Sequence, residues 1–154
     1  MSVSLEFYAG DADSIGADFT ASAFDGLREG TRARAWADFS IHLSPSDLDI
    51  LSEVIAERVG TEPLLLNDCL VRTVGGDGDE RSAEVVSPDW VRMVAAVGGT
   101  PAREIAATWI EQVGEEHGEE YELSPEAVRA VEELVRLCQL AEQEDLAVVH
   151  TWHL

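Results

Sequence analysis

Residues 124–153 read SPEAVRAVEELVRLCQLAEQEDLAVVHTWH, and this stretch decides the class of fold. After Pro125, apolar residues recur every three or four positions, which predicts an amphipathic helix to about Glu144. The apolar positions are Ala127, Ala130, Val131, Leu134, Leu137, Cys138 and Ala141. From Leu146 to His153 the pattern changes to alternation, which predicts a strand. A long helix that leads directly into a strand indicates a domain that combines helices with a sheet.

Other strands are predicted by the same alternation earlier in the chain. It predicts strands at residues 3–8 and 35–43, and a hairpin formed by residues 69–74 and 82–86. The hairpin turns through a segment rich in glycine and aspartate. Between Asp11 and Gly30 the pattern allows two interpretations, a weak helix that includes Phe19, Ala23 and Leu27 or a long functional loop.

Four helix starts are marked by a hydroxyl residue followed by proline. Proline is tolerated at the first helical position because the amide it lacks has no partner there, and the preceding hydroxyl caps the next free amides. The four pairs are Ser44-Pro45, Ser87-Pro88, Thr100-Pro101 and Ser124-Pro125. Residues 1–154 are therefore predicted to form a single acidic α+β domain. Its sheet is expected to be mixed or antiparallel, with about five strands and about four helices packed on it.

The balance of charge excludes several classes of partner. The chain has 31 acidic and 10 basic residues, all of the latter arginine, so its formal net charge at pH 7 is −21. Nucleic acid and anionic membrane surfaces both require a cationic face, so neither is expected as a direct partner. No apolar run reaches the length of a membrane span, and residues 1–5 lack the basic-then-apolar order of a secretory signal. We expect a cytoplasmic protein.

The acidic excess has two interpretations. It is typical of adaptation to high internal salt, where screening makes a dense negative surface tolerable, and of an acidic face that docks on a basic protein partner. The absence of lysine has no folding explanation, because lysine suits solvated surfaces as well as arginine does. It predicts an origin in a GC-rich genome, whose codons favour arginine.

Repulsion among the carboxylates predicts that salt stabilises the folded chain. The thermal unfolding midpoint, followed by circular dichroism, is expected to rise between about 10 mM and about 1 M KCl as the Debye length falls. A midpoint that is flat or falls with salt would show that local pairing already balances the charge.

The sequence contains no complete set of catalytic residues. Asp38, Ser40 and His42 share one predicted strand face, but neighbours on one face of a strand lie about 6.6 Å apart. Serine also stands in the middle, where a triad requires the histidine. The phosphate-binding patterns GxGxxG and GxxxxGK are absent, and the loops that begin at Asp11 and Asp77 fail the calcium-loop pattern at their fifth and twelfth positions. No cofactor is expected.

The histidines and cysteines do not have metal-ligand spacing. His150 and His153 are three residues apart on a predicted strand, which places them on opposite faces. His117 lies within the acidic segment Glu115–Glu122, which we interpret as an inter-helix loop, and the HExxH pattern is absent. The two cysteines do not form a CxxC pair. Neither a metal site nor a catalytic residue is therefore predicted.

The candidate ligand-binding residues are two tryptophans and two histidines on predicted strands: Trp36, His42, His150 and Trp152. An aromatic side chain beside a histidine on a polar strand face is typical of a recognition surface. If the second and last strands are neighbours, all four side chains are gathered into one pocket. The alternative is that helices cover these strands, so that Trp36 and Trp152 belong to the core.

These observations favour a non-catalytic protein–protein interaction module, of inhibitor or immunity type, that masks a basic protein. The small size, the acidity and the lack of a catalytic constellation are all typical of that class. The alternative is a small enzyme or small-ligand-binding protein whose pocket lies near the four candidate residues. A concave pocket with perturbed titratable groups would favour the alternative, and an acidic face would favour the interaction module.

Overall fold

The computed structural model describes residues 3–21, 27, 33–41 and 43–154. In chain order its elements are β1 (Ser4–Gly10), α1 (Ala12–Thr20), β2 (Ala33–Asp38), α2 (Pro45–Val59), a 3-10 turn (Leu66–Asp68), β3 (Leu70–Gly76), β4 (Arg81–Val86), α3 (Pro88–Ala95), α4 (Ala102–His117), α5 (Pro125–Glu144) and β5 (Ala147–His153). None of the described helices is long and apolar enough to cross a membrane.

The strands form one sheet in the order β2-β1-β5-β4-β3, and every neighbouring pair is antiparallel. The predicted α+β fold, with an antiparallel sheet of five strands, is confirmed. The central strand is β5, and its neighbour β1 comes from the opposite part of the sequence. Phe7 at the middle of β1 lies opposite Ala37 on one side and His150 on the other.

The two faces of the sheet carry two separate cores. Leu5, Phe7 and Ala9 of β1 face the larger core, which α2 to α5 build with the buried tryptophans Trp90 and Trp109. The alternate face is covered by α1 and includes the buried residues Tyr8, Ile15, Phe19, Leu27 and Val149. The buried Cys138 of α5 lies in the larger core, and burial raises the pKa of its thiol.

Three of the four predicted helix starts are confirmed. Ser44, Ser87 and Ser124 are N-caps followed by proline at the first helical position. The start predicted at Thr100-Pro101 is wrong by one residue. Pro101 has an extended backbone with ψ 137° and is itself the N-cap, so the helix begins at Ala102.

The second strand is shorter than the predicted 35–43. It ends at Asp38 because the Asp38 carboxylate accepts a hydrogen bond from the Ser40 N–H at 2.9 Å, a local turn that competes with sheet pairing. The Ser40 hydroxyl in turn accepts from the Leu5 N–H at 3.1 Å. The predicted strand face shared by Asp38, Ser40 and His42 is therefore wrong, and His42 lies outside the described residues.

The ambiguous segment after β1 begins with a helix. The Asp11 carboxylate caps α1 by accepting from the Ser14 N–H at 2.9 Å. Of the predicted weak-helix positions, Phe19 is helical and buried, Leu27 is buried, and Ala23 lies outside the described residues. Helix α1 comes very close to β3, because a Cβ built on Gly16 would lie 2.2 Å from the Val74 carbonyl oxygen.

The hairpin between β3 and β4 is organised by one carboxylate. Asp77 accepts hydrogen bonds from the N–H groups of Asp79, Glu80 and Arg81 at 3.1, 3.0 and 3.3 Å. These backbone donors lower the pKa of Asp77. Asp77, like Asp11, is thus engaged with its own backbone.

Candidate functional site

Among the described candidate residues, the structure does not bring Trp36 together with His150 and Trp152. Strand β1 lies between β2 and β5, so the adjacency on which the predicted pocket depended is wrong. Trp36 is in register with Tyr8, whereas His150 is in register with Phe7, and consecutive residues of β1 point to opposite faces. His42 lies outside the described residues.

His150 is buried beside Phe7. Its Nδ1 is 3.0 Å from the Glu6 carbonyl oxygen, so Nδ1 carries the proton and donates, and its ring centroid is 4.6 Å from that of Phe7. Burial lowers the pKa of His150 to about 4, although the hydrogen bond to Glu6 opposes the shift. The side chain is therefore neutral near pH 7.

The two candidate tryptophans are each partly buried, in different places. Trp152 lies opposite Leu5 and packs against the larger core. Trp36 stacks on Tyr8 with ring centroids 6.5 Å apart, and it lines a shallow groove of about 490 Å³ beside Leu137 and Leu140 of α5. Ligand binding by Trp36 stays a prediction.

A different region, at the carboxyl end of α4, gathers acidic and apolar side chains around two adjoining depressions. The first, which we call the acidic groove, has a volume of about 410 Å³. It is lined by Ala107, Ile110, Glu111, Glu115, Glu119, Glu120, Tyr121 and Leu123. In the described part of the chain, no ion pair joins an arginine to any of these four glutamates.

A tight chain reversal after α4 builds the acidic groove. Gly118 has the left-handed φ of 71° that ends the helix, and the Glu119 N–H donates to the Gly114 carbonyl oxygen at 2.9 Å. A Cβ on Gly114 would lie 2.5 Å from the Glu119 carbonyl oxygen, so the returning chain needs glycine there. The predicted loop Glu115–Glu122 is wrong in its first part, because residues 115–117 are the last turn of α4.

The second depression, which we call the His117 cavity, has a volume of about 380 Å³ and shares Ile110 and Tyr121 with the acidic groove. Its walls are mostly apolar. It is lined by Ile41, Leu43, Asp47, Ile110, Val113, His117, Tyr121, Glu122 and Ser124.

An aspartate–histidine pair forms the polar part of the His117 cavity. The Asp47 side chain is only 2% exposed, and its Oδ1 is 3.0 Å from His117 Nε2, whose side chain is 38% exposed. The other oxygen of Asp47 accepts from the Ser44 N–H at 2.9 Å, which is one half of a capping box at the start of α2. The Asp47 carbonyl oxygen accepts from Trp109 Nε1 at 2.8 Å, so this residue joins α2 to α4 twice.

Tyr121 extends this pair toward solvent. Its hydroxyl is 3.4 Å from His117 Nδ1, and the two ring planes meet at 76°. A hydrogen bond with the Glu119 carboxylate raises the pKa of Tyr121. Tyr121 is 42% exposed, which makes it one of the few large apolar side chains at the surface in the described residues.

The described residues of this region form neither a complete catalytic triad nor a metal site. An oriented Asp–His pair is part of a general-base system, but such a system also needs a nucleophile in contact with the histidine. Among the described residues, the hydrogen bonds of His117 reach Asp47 and the Tyr121 hydroxyl alone. Within the same residues, no group of three histidine, cysteine, aspartate or glutamate side chains has an arrangement that suits a metal ion.

The sequence shows Asp47 and the acidic segment around His117, but it does not show that they lie together in the fold. The position of Asp47 in the first turn of α2 is visible in the sequence, and so is the acidity around His117. The two residues are 70 positions apart, and neither periodicity nor motif spacing relates them. The one available signal is the i, i+4 spacing of Glu111 and Glu115, which places two carboxylates on one face of α4.

Comparison of the chain with protein-family models, with curated proteins and with solved structures found no match.

Proposed function

We propose that this protein is a non-catalytic protein–protein interaction module of inhibitor or immunity type, which binds a basic protein in the cytoplasm through the acidic groove. The observation that carries the proposal is the groove itself. Four glutamates line one depression beside an exposed tyrosine, and the ion pairs of the described residues leave these carboxylates without an arginine partner.

The arrangement of the arginines supports a polarised surface. Six of them form ion pairs elsewhere: Arg34, Arg58, Arg72, Arg81, Arg92 and Arg136. Arg136 also lines a separate depression with Arg103 and Arg129, none of which lines the acidic groove. A surface with unbalanced negative charge attracts a cationic partner over a distance and speeds association.

The groove also contains apolar contact area, which a purely electrostatic surface lacks. Tyr121, Leu123, Ala107 and Ile110 line the groove together with the glutamates. Aromatic side chains near the centre of an interface commonly contribute most of its binding energy, while charged residues at the rim set orientation and rate. The acidic groove therefore offers both contributions in one place.

Affinity capture with a charge-matched pair of variants tests the proposal. The groove variant replaces Glu111, Glu115, Glu119 and Glu120 by glutamine. The control variant makes the same change at four exposed glutamates that lie elsewhere: Glu53, Glu57, Glu62 and Glu142. Both variants lose the same formal charge, so a difference between them reports the position of the charge.

We expect a basic protein to be retained by the wild-type chain and by the control variant. In titration calorimetry with the purified partner, the groove variant is expected to bind at least about tenfold more weakly, as follows from losing about 1.4 kcal/mol of interaction. Equal affinity of the two variants would contradict the proposal and would favour the interpretation of the acidity as salt adaptation.

A further inference from the structure

The His117 cavity is large enough to take one long side chain. Its volume of about 380 Å³ lies at the lower end of the range of about 300–1,000 Å³ that ligand pockets occupy. Ile41, Leu43 and Val113 form apolar walls, and the cavity adjoins the acidic groove at Ile110 and Tyr121. A partner seated in the groove can therefore place a side chain in the cavity.

The charges of the cavity select a cationic occupant. One lining residue, Glu122, is an exposed carboxylate, and four more carboxylates line the adjoining groove, whereas the buried Asp47 carboxylate is already bonded to His117 and Ser44. An anionic side chain is repelled there, and a purely aliphatic one forms no ion pair with the Glu122 carboxylate. A long cationic side chain satisfies both surfaces, because its methylene groups cover the apolar walls while its charged end meets a carboxylate.

The aromatic ring at the junction favours arginine over lysine. Tyr121 lines both depressions, and its hydroxyl lies 3.4 Å from His117 Nδ1, so its ring stands at the junction between the two depressions. A planar guanidinium stacks on an aromatic face and forms two parallel hydrogen bonds to a carboxylate, whereas an ammonium does neither as well.

We propose that the His117 cavity receives an arginine side chain of the basic partner. Its aliphatic part lies against Ile41, Leu43 and Val113, and its guanidinium meets the Tyr121 ring and the Glu122 carboxylate. The proposal rests on the proposed function, since it assumes that a basic partner occupies the acidic groove. It adds that one arginine, rather than net charge alone, determines recognition.

Short synthetic peptides test this with the full chain. The probe is a fluorescein-labelled heptapeptide with two lysines at each end and glycine, arginine and glycine in the middle. Three matched probes carry lysine, citrulline or norleucine in place of the arginine. Citrulline has nearly the shape of arginine without its charge, and norleucine keeps the aliphatic part alone. Binding is measured by fluorescence anisotropy near physiological ionic strength, where non-specific attraction between exposed charges is screened beyond about 8 Å.

We expect the arginine peptide to bind at least about tenfold more tightly than the citrulline peptide, and about threefold more tightly than the lysine peptide. The substitution Tyr121→Leu keeps an apolar side chain at an exposed position but removes the ring, and Ile41→Trp fills the cavity from a partly exposed position. Both are expected to reduce the ratio of arginine to citrulline affinity toward one, with the fold checked by circular dichroism. The groove variant is expected to weaken all four peptides.

Two results would overturn the inference in distinguishable ways. If the four peptides bind equally and the groove variant weakens all of them, the arginine pocket is wrong and the acidic groove remains the binding surface. If the groove variant and its charge-matched control bind every peptide alike, both the arginine pocket and the proposed function are wrong.

Discussion

Between pH 7 and about pH 3.5, the free energy of unfolding of the wild type is expected to fall by about 3 kcal/mol more than that of the variant His150→Asn. Burial lowers the pKa of His150 to about 4 in the folded chain, against 6.5 for an ordinary histidine. Between these values the unfolded chain binds a proton that the folded chain does not, so acid favours unfolding. The free energy of unfolding is therefore not reduced by His150 above about pH 6.5, and it decreases as the pH falls toward 4.

Asparagine is the suitable replacement because its side-chain amide can donate to the Glu6 carbonyl oxygen from nearly the position of the histidine Nδ1. The measurement is the free energy of unfolding in urea at several pH values, compared between wild type and His150→Asn. The many carboxylates titrate in both proteins, so their contribution cancels in the difference.

The control for His150→Asn is Val148→Ala, a buried change on the same strand that removes packing without removing a titratable group. Val148→Ala is expected to lower stability equally at every pH. If wild type and His150→Asn respond to acid in parallel, the interpretation of His150 as a buried neutral group is wrong.

The substitution Gly16→Ala is expected to destabilise the chain by about 3 kcal/mol, near the upper end of the usual cost of overpacking. A Cβ at Gly16 would lie 2.2 Å from the Val74 carbonyl oxygen, which is backbone and cannot rotate away. Helix α1 must then move off β3. That movement also disturbs Thr20, whose hydroxyl donates to the Gly16 carbonyl oxygen at 2.8 Å and accepts from the Gly76 N–H at 3.0 Å.

Gly98→Ala is the matched control for Gly16→Ala. A Cβ at Gly98 meets nothing within 4 Å, and its φ is not in the left-handed region, so its effect is expected to stay within about 0.5 kcal/mol. Urea unfolding of the two variants measures the difference. Equal free energies of unfolding for the two variants would contradict this prediction, because they would show that α1 can move away from β3 without loss of stability.

Local signals predicted the elements where one physical cause dominates. A serine followed by proline fixes a helix start, and this held at Ser44, Ser87 and Ser124. It failed where a competing local preference won. Pro101 took the extended conformation of a cap, and the Asp38 side chain ended β2 before the alternating pattern did.

Local sequence signals could not predict the candidate site, because its residues are distant in the chain. The Asp47–His117 pair depends on how α2 packs against α4, and the acidic groove depends on the reversal at Gly118. The strand adjacency assumed for the predicted pocket was wrong for a related reason. Alternation shows which residues share a face of a strand, but it does not show which strands are neighbours. In the sheet, β1 lies between β2 and β5, the two strands that carry the candidate residues.

The strand order also has a consequence for how the chain folds. The central strand β5 (residues 147–153) pairs with residues 4–10 of β1, so the middle of the sheet forms through contacts between very distant positions. Closing so long a loop lowers the entropy of the chain before any stabilising contact forms. Topologies dominated by such contacts therefore fold slowly. During synthesis, β1 has no β5 partner until residues 147–153 have been made. Meanwhile one edge of β1 stays open to wrong partners, and the dense negative charge of the nascent chain then acts against association with its own copies.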